Sequence, residues 1–189
     1  MGNRNKEPEA VLNGVDVRRL KNTIEAIDVV PELAKFTFRA SNRWISGGLN
    51  RSTIGSFHGA GAENRREAFV IDNAEPFLIL GGDEAPSPME YLLHALAGCF
   101  TTTLVYEAAM QGVRIRSLAS EVEGRLDLRR FLGIGEERTG GFERFGIRLR
   151  VQADCTPEQM AGLVAAAERR SPLAGLLGAV PTSVFCESM

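Results

Sequence analysis

The sequence predicts an α+β fold in which an antiparallel sheet wraps around a central, buried helix that carries Cys99. Three observations lead to it. Residues 88–111 read as one long helix, with Leu92, Leu93, Leu96, Phe100, Leu104, Val105 and Met110 spread nearly all round it. Two later stretches alternate between apolar and polar side chains. In the first, Leu118, Ser120, Val122, Gly124, Leu126 and Leu128 share one face while Glu121, Glu123, Arg125 and Asp127 share the other; in the second, Phe145, Ile147, Leu149, Val151 and Ala153 alternate with Arg144, Arg148, Arg150 and Gln152. A strand that buries one face and wets the other belongs to an antiparallel sheet rather than to a doubly wound one. The third observation is a hairpin ahead of the helix, with its turn at Gly47-Gly48-Leu49-Asn50.

Each element has its own signal. Residues 1–12 are polar and read as a loose tail. Asp16 can cap a first helix in which Val17, Leu20, Ile24 and Ile27 recur at helical spacing until Pro31 closes it. Lys35 to Ala40 alternates as a half-buried strand does, and Arg51 to Phe57 returns from the Gly-Gly turn. Residues 58–66 read as a loop before a short strand at Phe69, Val70 and Ile71, and Pro76 to Leu80 as a further extended piece. The long helix opens on Ser87-Pro88-Met89-Glu90, where Ser87 and Glu90 form a capping box and Pro88 suits the first turn; Gly112 stops it. The residues from Gly133 to Gly141 join the two alternating strands. Thr156-Pro157-Glu158-Gln159 caps a helix running to Arg170, and Pro181 to Phe185 is a last strand.

Composition bounds the class. The chain has 189 residues, 44% hydrophobic and 24% charged, as expected of one globular domain (33–189) with an N-terminal tail and helical extension (1–32). A net charge of −2 with interspersed signs and few aromatic residues gives no basis for nucleic-acid binding. No apolar run approaches the ~20 residues of a membrane span, and Met1 to Glu7 lacks a signal peptide's apolar core, so the expected location is cytoplasmic. Cys99, Cys155 and Cys186 are odd in number and widely spaced, which is no disulfide framework. His58 and His94 form no metal-binding pair, and nucleotide-binding loops are absent, so neither metal nor cofactor is expected.

What remains is Cys99. Ala95, Ala97 and Gly98 beside it let another backbone or a substrate approach closely. Such a thiol is either a small core hydrophobe or a protected nucleophile. The helix around it bears on assembly. A helix apolar on every face is buried on every face, and one modest sheet covers one side only. Several exposed Leu and Phe side chains, each worth roughly 1.5–3 kcal/mol when buried, would exceed much of a domain's stability. An obligate homodimer is therefore expected.

Asp83 to Cys99, with Ser-Pro-Met-Glu-Tyr-Leu-Leu-His-Ala-Leu-Ala-Gly-Cys at its centre, resembles the helix of the OsmC/Ohr superfamily, the osmotically inducible and organic hydroperoxide resistance proteins. The resemblance extends over residues 34–186, and the stretch from Asn13 to Trp44 resembles the extension of one OsmC-like branch. It implies an intertwined dimer with active sites at the interface. It also implies a peroxidase that reduces organic hydroperoxides or peroxide through a cysteine sulfenic acid, in oxidative-stress defence.

The resemblance assigns roles to single residues. Cys99 matches the peroxidatic cysteine. Arg51, after the Gly47-Gly48 turn, matches the arginine that stabilises its thiolate, the other reading being a solvated strand-end charge; Arg39 and Arg43 are alternatives. The arginine-holding glutamate of the family falls on Met89, so the carboxylate is displaced to Glu90, about 100° further round the helix. Glu90 therefore either orients Arg51 or only completes the cap. The resolving cysteine, before a proline at the end of the second helix, falls on Ser171, and serine forms no disulfide. Cys155 and Cys186 are expected at a surface or interface. The implied chemistry is thus a one-cysteine cycle resolved by an external thiol reductant. The competing expectation is a non-catalytic binding protein for a small hydrophobic ligand.

Overall fold

The computed structural model describes residues 11–135, 140–173, 175, 180 and 182–188. By its internal contacts the chain forms two compact units, residues 18–92 and the described residues of 1–17 together with those of 93–189. The boundary expected at residue 32 lies inside the first of them.

In the 18–92 unit, helix α1 (Val17–Val29) ends where Pro31 opens a short 3-10 turn, Pro31–Ala34. The hairpin differs from expectation. Its first strand is β3 (Ser41–Ser46), not 35–40, and it returns as β4 (Leu49–Ile54). The turn decides this. Gly47 takes φ +51°, a conformation suited to glycine, and joins Ser46 to Leu49 with two residues only. A strand at 35–40 would have needed a loop of several residues more. Phe36 and Phe38 alternate because their rings pack on Phe57, at centroid distances of 6.2 and 5.3 Å, and Thr37 makes one isolated bridge to His58.

The expected loop 58–66 contains a small hairpin, β5 (Phe57–Gly59) with β6 (Ala62–Asn64). Strand β7 (Phe69–Asn73) pairs with β4 and completes the antiparallel order β3-β4-β7. The piece expected to extend at 76–80 is a 3-10 turn, Phe77–Ile79, closed by Leu80 in the left-handed region. Gly81 explains why the chain folds back there, since a Cβ would stand 1.7 Å from the Glu75 carbonyl oxygen.

The other unit starts with a hairpin whose first strand lies at the end of the stretch 1–12 expected to be loose. Strands β1 (Val11–Leu12) and β2 (Val15–Asp16) turn at Asn13-Gly14, both at positive φ, the combination that a two-residue hairpin favours. The Asn13 amide donates to the Val113 carbonyl and accepts from the Ile115 amide, both at 2.9 Å. Residues 1–10 lie outside the described residues. Helix α2 (Pro88–Met110), β8 (Ile115–Asp127), β9 (Gly141–Ala153), α3 (Pro157–Arg170) and β10 (Thr182–Ser188) follow. Thr156 and Gln159 close the capping box of α3. The β8–β9 pair is antiparallel, but β10 lies parallel to β9. Its connection runs through α3, and a helical crossover of this kind is what a parallel pair requires.

Among the described residues, the larger core cluster has nine buried members: Phe100, Leu104 and Ala108 of α2; Val113; Ile147, Leu149 and Val151 of β9; Leu163 and Ala167 of α3. Gly124 of β8 admits Leu93 and Phe145, because a Cβ there would sit 2.9 Å from Leu93 and 3.1 Å from Phe145. The expectation that α2 is apolar on every face needs correcting. Leu96, Phe100, Leu104 and Ala108 are its buried stripe, whereas His94, Gly98, Thr102 and Tyr106 are exposed and mostly polar or small. Large exposed apolar side chains occur in both units, among them Trp44 (73% exposed) and Leu78 (96%) in the 18–92 unit and Phe131 and Phe185 in the other. Among the described residues, no helix is long and apolar enough to cross a membrane.

Candidate active site

Two groups of residues are candidates for the site, one in each unit. The first is built on the 18–92 sheet. The register places Arg51 of β4 opposite Asp72 of β7. Arg51 Nε and Nη2 donate to the two carboxylate oxygens of Asp72 at 2.5 and 2.7 Å, a bidentate pair that fixes the plane of the guanidinium. These bonds hold the Asp72 carboxyl below its usual range and push Arg51 above its own. Arg43 lies across from Arg51 on β3 and adds to the field that lowers Asp72. Arg39 is occupied elsewhere, paired with Glu63 at 2.8 Å. The first turn of α2 docks on the same spot, where Tyr91 Oη donates to the Asp72 carbonyl at 2.7 Å.

The carboxylate paired with Arg51 is therefore Asp72, and of the two readings of Glu90 the geometry matches the cap. Glu90 accepts from the Ser87 amide at 2.7 Å and from its hydroxyl at 2.8 Å, while Ser87 Oγ accepts from the Glu90 amide at 3.3 Å. This is the capping box, and the Ser87 amide is the main cause that lowers the Glu90 carboxyl. Asp72 was missed because its signal is a register between strands 21 residues apart. No local motif points to it.

The second group surrounds Cys99 on the part of α2 that belongs to the other unit. Cys99 is half-buried, and its sulfur stands 3.1 Å from Ser171 Oγ. Ser171 is only 4% exposed. Its position follows from sequence. Pro172 disfavours helical geometry at the preceding residue, so α3 ends at Ser171, whose amide still donates to the Ala167 carbonyl. One face of α2 meets this end of α3. Cys99, Thr103 and Glu107 share that face at four-residue spacing, and Arg170 pairs with Glu107. Thr103 Oγ1 donates back to the Cys99 carbonyl at 2.8 Å.

Cys155 and Cys186, expected at a surface or interface, instead pack half-buried against the core. Cys186 lies within β10 rather than after it. Burial pushes its thiol up, and Cys155 nearby adds to the effect.

Residues 81–184 match the family described as OsmC-like protein. The chain belongs to the OsmC-like family. Solved structures share the OsmC-like fold at low identity. An organic hydroperoxide resistance protein from Elizabethkingia anophelis, with thiocyanate bound, is 13% identical over 81% of this chain and 96% of that one, with a TM-score of 0.61. A Legionella pneumophila organic hydroperoxide resistance protein OsmC is 18% identical over 80% and 96%, TM-score 0.56. The Bacillus subtilis protein OhrB is 22% identical over 80% and 98%, TM-score 0.53. Among curated proteins, none matches this chain. In this OsmC-like chain, Cys99 and Ser171 both lie inside the matched stretch, and Arg51 and Asp72 precede it.

Proposed function

We propose that this OsmC-like protein is a cysteine-dependent peroxidase that reduces small hydrophobic hydroperoxides in the cytosol, using one cysteine and an external thiol. The observation that carries this reading is the 3.1 Å approach of Ser171 to Cys99. Resemblance puts a resolving cysteine at the residue before Pro172, and that residue meets Cys99. Cys99 is the proposed nucleophile towards the terminal peroxide oxygen. Arg51, oriented by Asp72, is the proposed charge for the thiolate and the departing alkoxide. A mid-helix cysteine receives little from the helix dipole, which acts within the first turn, so the cation matters.

The protein is proposed to act as a homodimer. What supports this is the apolar surface a single chain leaves open, from Trp44, Phe69 and Val70 to Phe77, Leu78 and Leu80.

Stopped-flow oxidation by cumene hydroperoxide tests the reading. Oxidation should be far faster than that of free cysteine, vanish in Cys99→Ser and slow by at least tenfold in Arg51→Ala. A wild type that reacts no faster than free cysteine would overturn it. The sequestering role would then take its place, favoured by a cavity of about 380 Å³ lined by Ala26, Ile27, Leu33 and Phe36, a size suited to a small hydrophobic ligand.

A further inference from the structure

We infer that Ser171 is the hydrogen-bond donor to the reacting sulfur of Cys99, and that its hydroxyl both favours the thiolate and leaves the oxidised sulfur to a thiol from solution. The inference rests on the peroxidase reading and goes beyond it, because it gives a task to a residue that resemblance would count only as a lost cysteine. Three observations carry it. The γ atoms of the two residues are 3.1 Å apart. Ser171 is 96% out of solvent, so its hydroxyl relies on a protein partner rather than water. Its backbone is held at the end of α3 by the bond to Ala167 on one side and by Pro172 on the other, while the neighbouring Arg170–Glu107 pair ties that end to the Cys99 face of α2.

The chemistry of the contact changes with protonation. A neutral thiol can donate weakly to the hydroxyl oxygen. Once Cys99 ionises, its sulfur only accepts, and the hydroxyl must donate. Hydrogen bonds to charged groups are about twice as strong as neutral ones, so the contact favours the thiolate. The thiolate then attacks the distal oxygen of R–O–OH. The S–O bond forms, the O–O bond breaks, and the electron pair leaves on RO⁻, which takes a proton to become ROH. Cys99, oxidised by two electrons, is now the sulfenic acid.

A sulfur at position 171 would capture that acid, but a hydroxyl does not. A thiol R′SH from solution therefore forms the S–S bond while the S–O bond breaks and water leaves. A second R′SH returns Cys99 as the thiol and carries off R′SSR′.

Two variants test this. In Ser171→Ala the midpoint of thiolate formation, followed by absorbance at 240 nm, should move up by at least one pH unit. Its second-order rate constant for cumene hydroperoxide should fall about tenfold at pH values below the wild-type midpoint, and should approach that of the wild type above the new midpoint. A merely structural role would lower the rate at every pH. In Ser171→Cys, one equivalent of hydroperoxide should consume two thiols instead of one, yield a 99–171 disulfide in peptide mass spectra, and cut dimedone labelling of Cys99 at least tenfold. The inference is overturned if the Ser171→Ala midpoint stays within 0.3 pH units of the wild type, or if Ser171→Cys forms no disulfide under either hydroperoxide or diamide. Failure of the peroxidase reading looks different. Wild-type Cys99 would then resist hydroperoxide while the midpoint still shifts in Ser171→Ala and diamide still links positions 99 and 171 in Ser171→Cys.

Discussion

Truncating Leu104 to alanine tests whether the packing described here holds the cysteine helix. Leu104 is fully buried, in the cluster that joins Phe100 and Ala108 of α2 to Ile147 and Leu149 of β9 and Leu163 of α3. The change removes three carbons, and at about 0.8 kcal/mol for each buried methylene the lost transfer energy is about 2.5 kcal/mol. The neighbours cannot close the gap freely, because the ladder on β9 and the capped helix α3 fix them. A residual void of ~50 Å³, at about 24 cal/mol per Å³, adds about 1 kcal/mol. Leu104→Ala should therefore lose about 3.5 kcal/mol, a large part of the 5–15 kcal/mol that keeps a domain folded. Leu104→Met keeps the volume and should cost less than about 1.5 kcal/mol. Urea unfolding followed by far-ultraviolet circular dichroism, at one protein concentration, gives both numbers as shifts in midpoint at unchanged slope. A loss below 1 kcal/mol in Leu104→Ala, or equal losses in the two variants, would refute the core assigned to α2.

The cap of α2 should show in the acid limb of stability. Glu90 is held below its usual pKa by the bonds from Ser87, so its contribution is present above the ordinary glutamate range and fades as pH falls through its lowered value. Glu90→Gln should accordingly be less stable than the wild type at pH 7 and converge with it as the pH falls through that lowered value. A gap that persists into acid would show that the carboxylate's charge plays no part. Assembly has an independent readout. If the homodimer covers the apolar surface of the 18–92 unit, the denaturation midpoint should rise with protein concentration; a well-folded monomer with a concentration-independent midpoint in the micromolar range would exclude it.

The sequence by itself determined the α-helices and the two long strands. Those features are written in local pattern. The 3.6-residue recurrence of Val17, Leu20, Ile24 and Ile27, the capping boxes at Ser87 and Thr156, the stops at Pro31 and Gly112, and the two-residue alternation of Leu118 to Leu128 each act over a few neighbours. Where two local patterns competed, the reading failed. The alternation at 35–40 came from aromatic packing on Phe57, and the true partner of β4 was set by the two-residue Gly47-Gly48 turn. The tertiary structure alone decided the partners. Asp72 meets Arg51 through a strand register spanning 21 residues, and Ser171 meets Cys99 across 72. Both contacts depend on the packing of elements against each other, which no periodicity records. The direction of β10 has the same origin, for a parallel strand follows from the path of α3 rather than from its own residues. Local propensity specifies which segments form, and burial across distant segments selects which side chains meet.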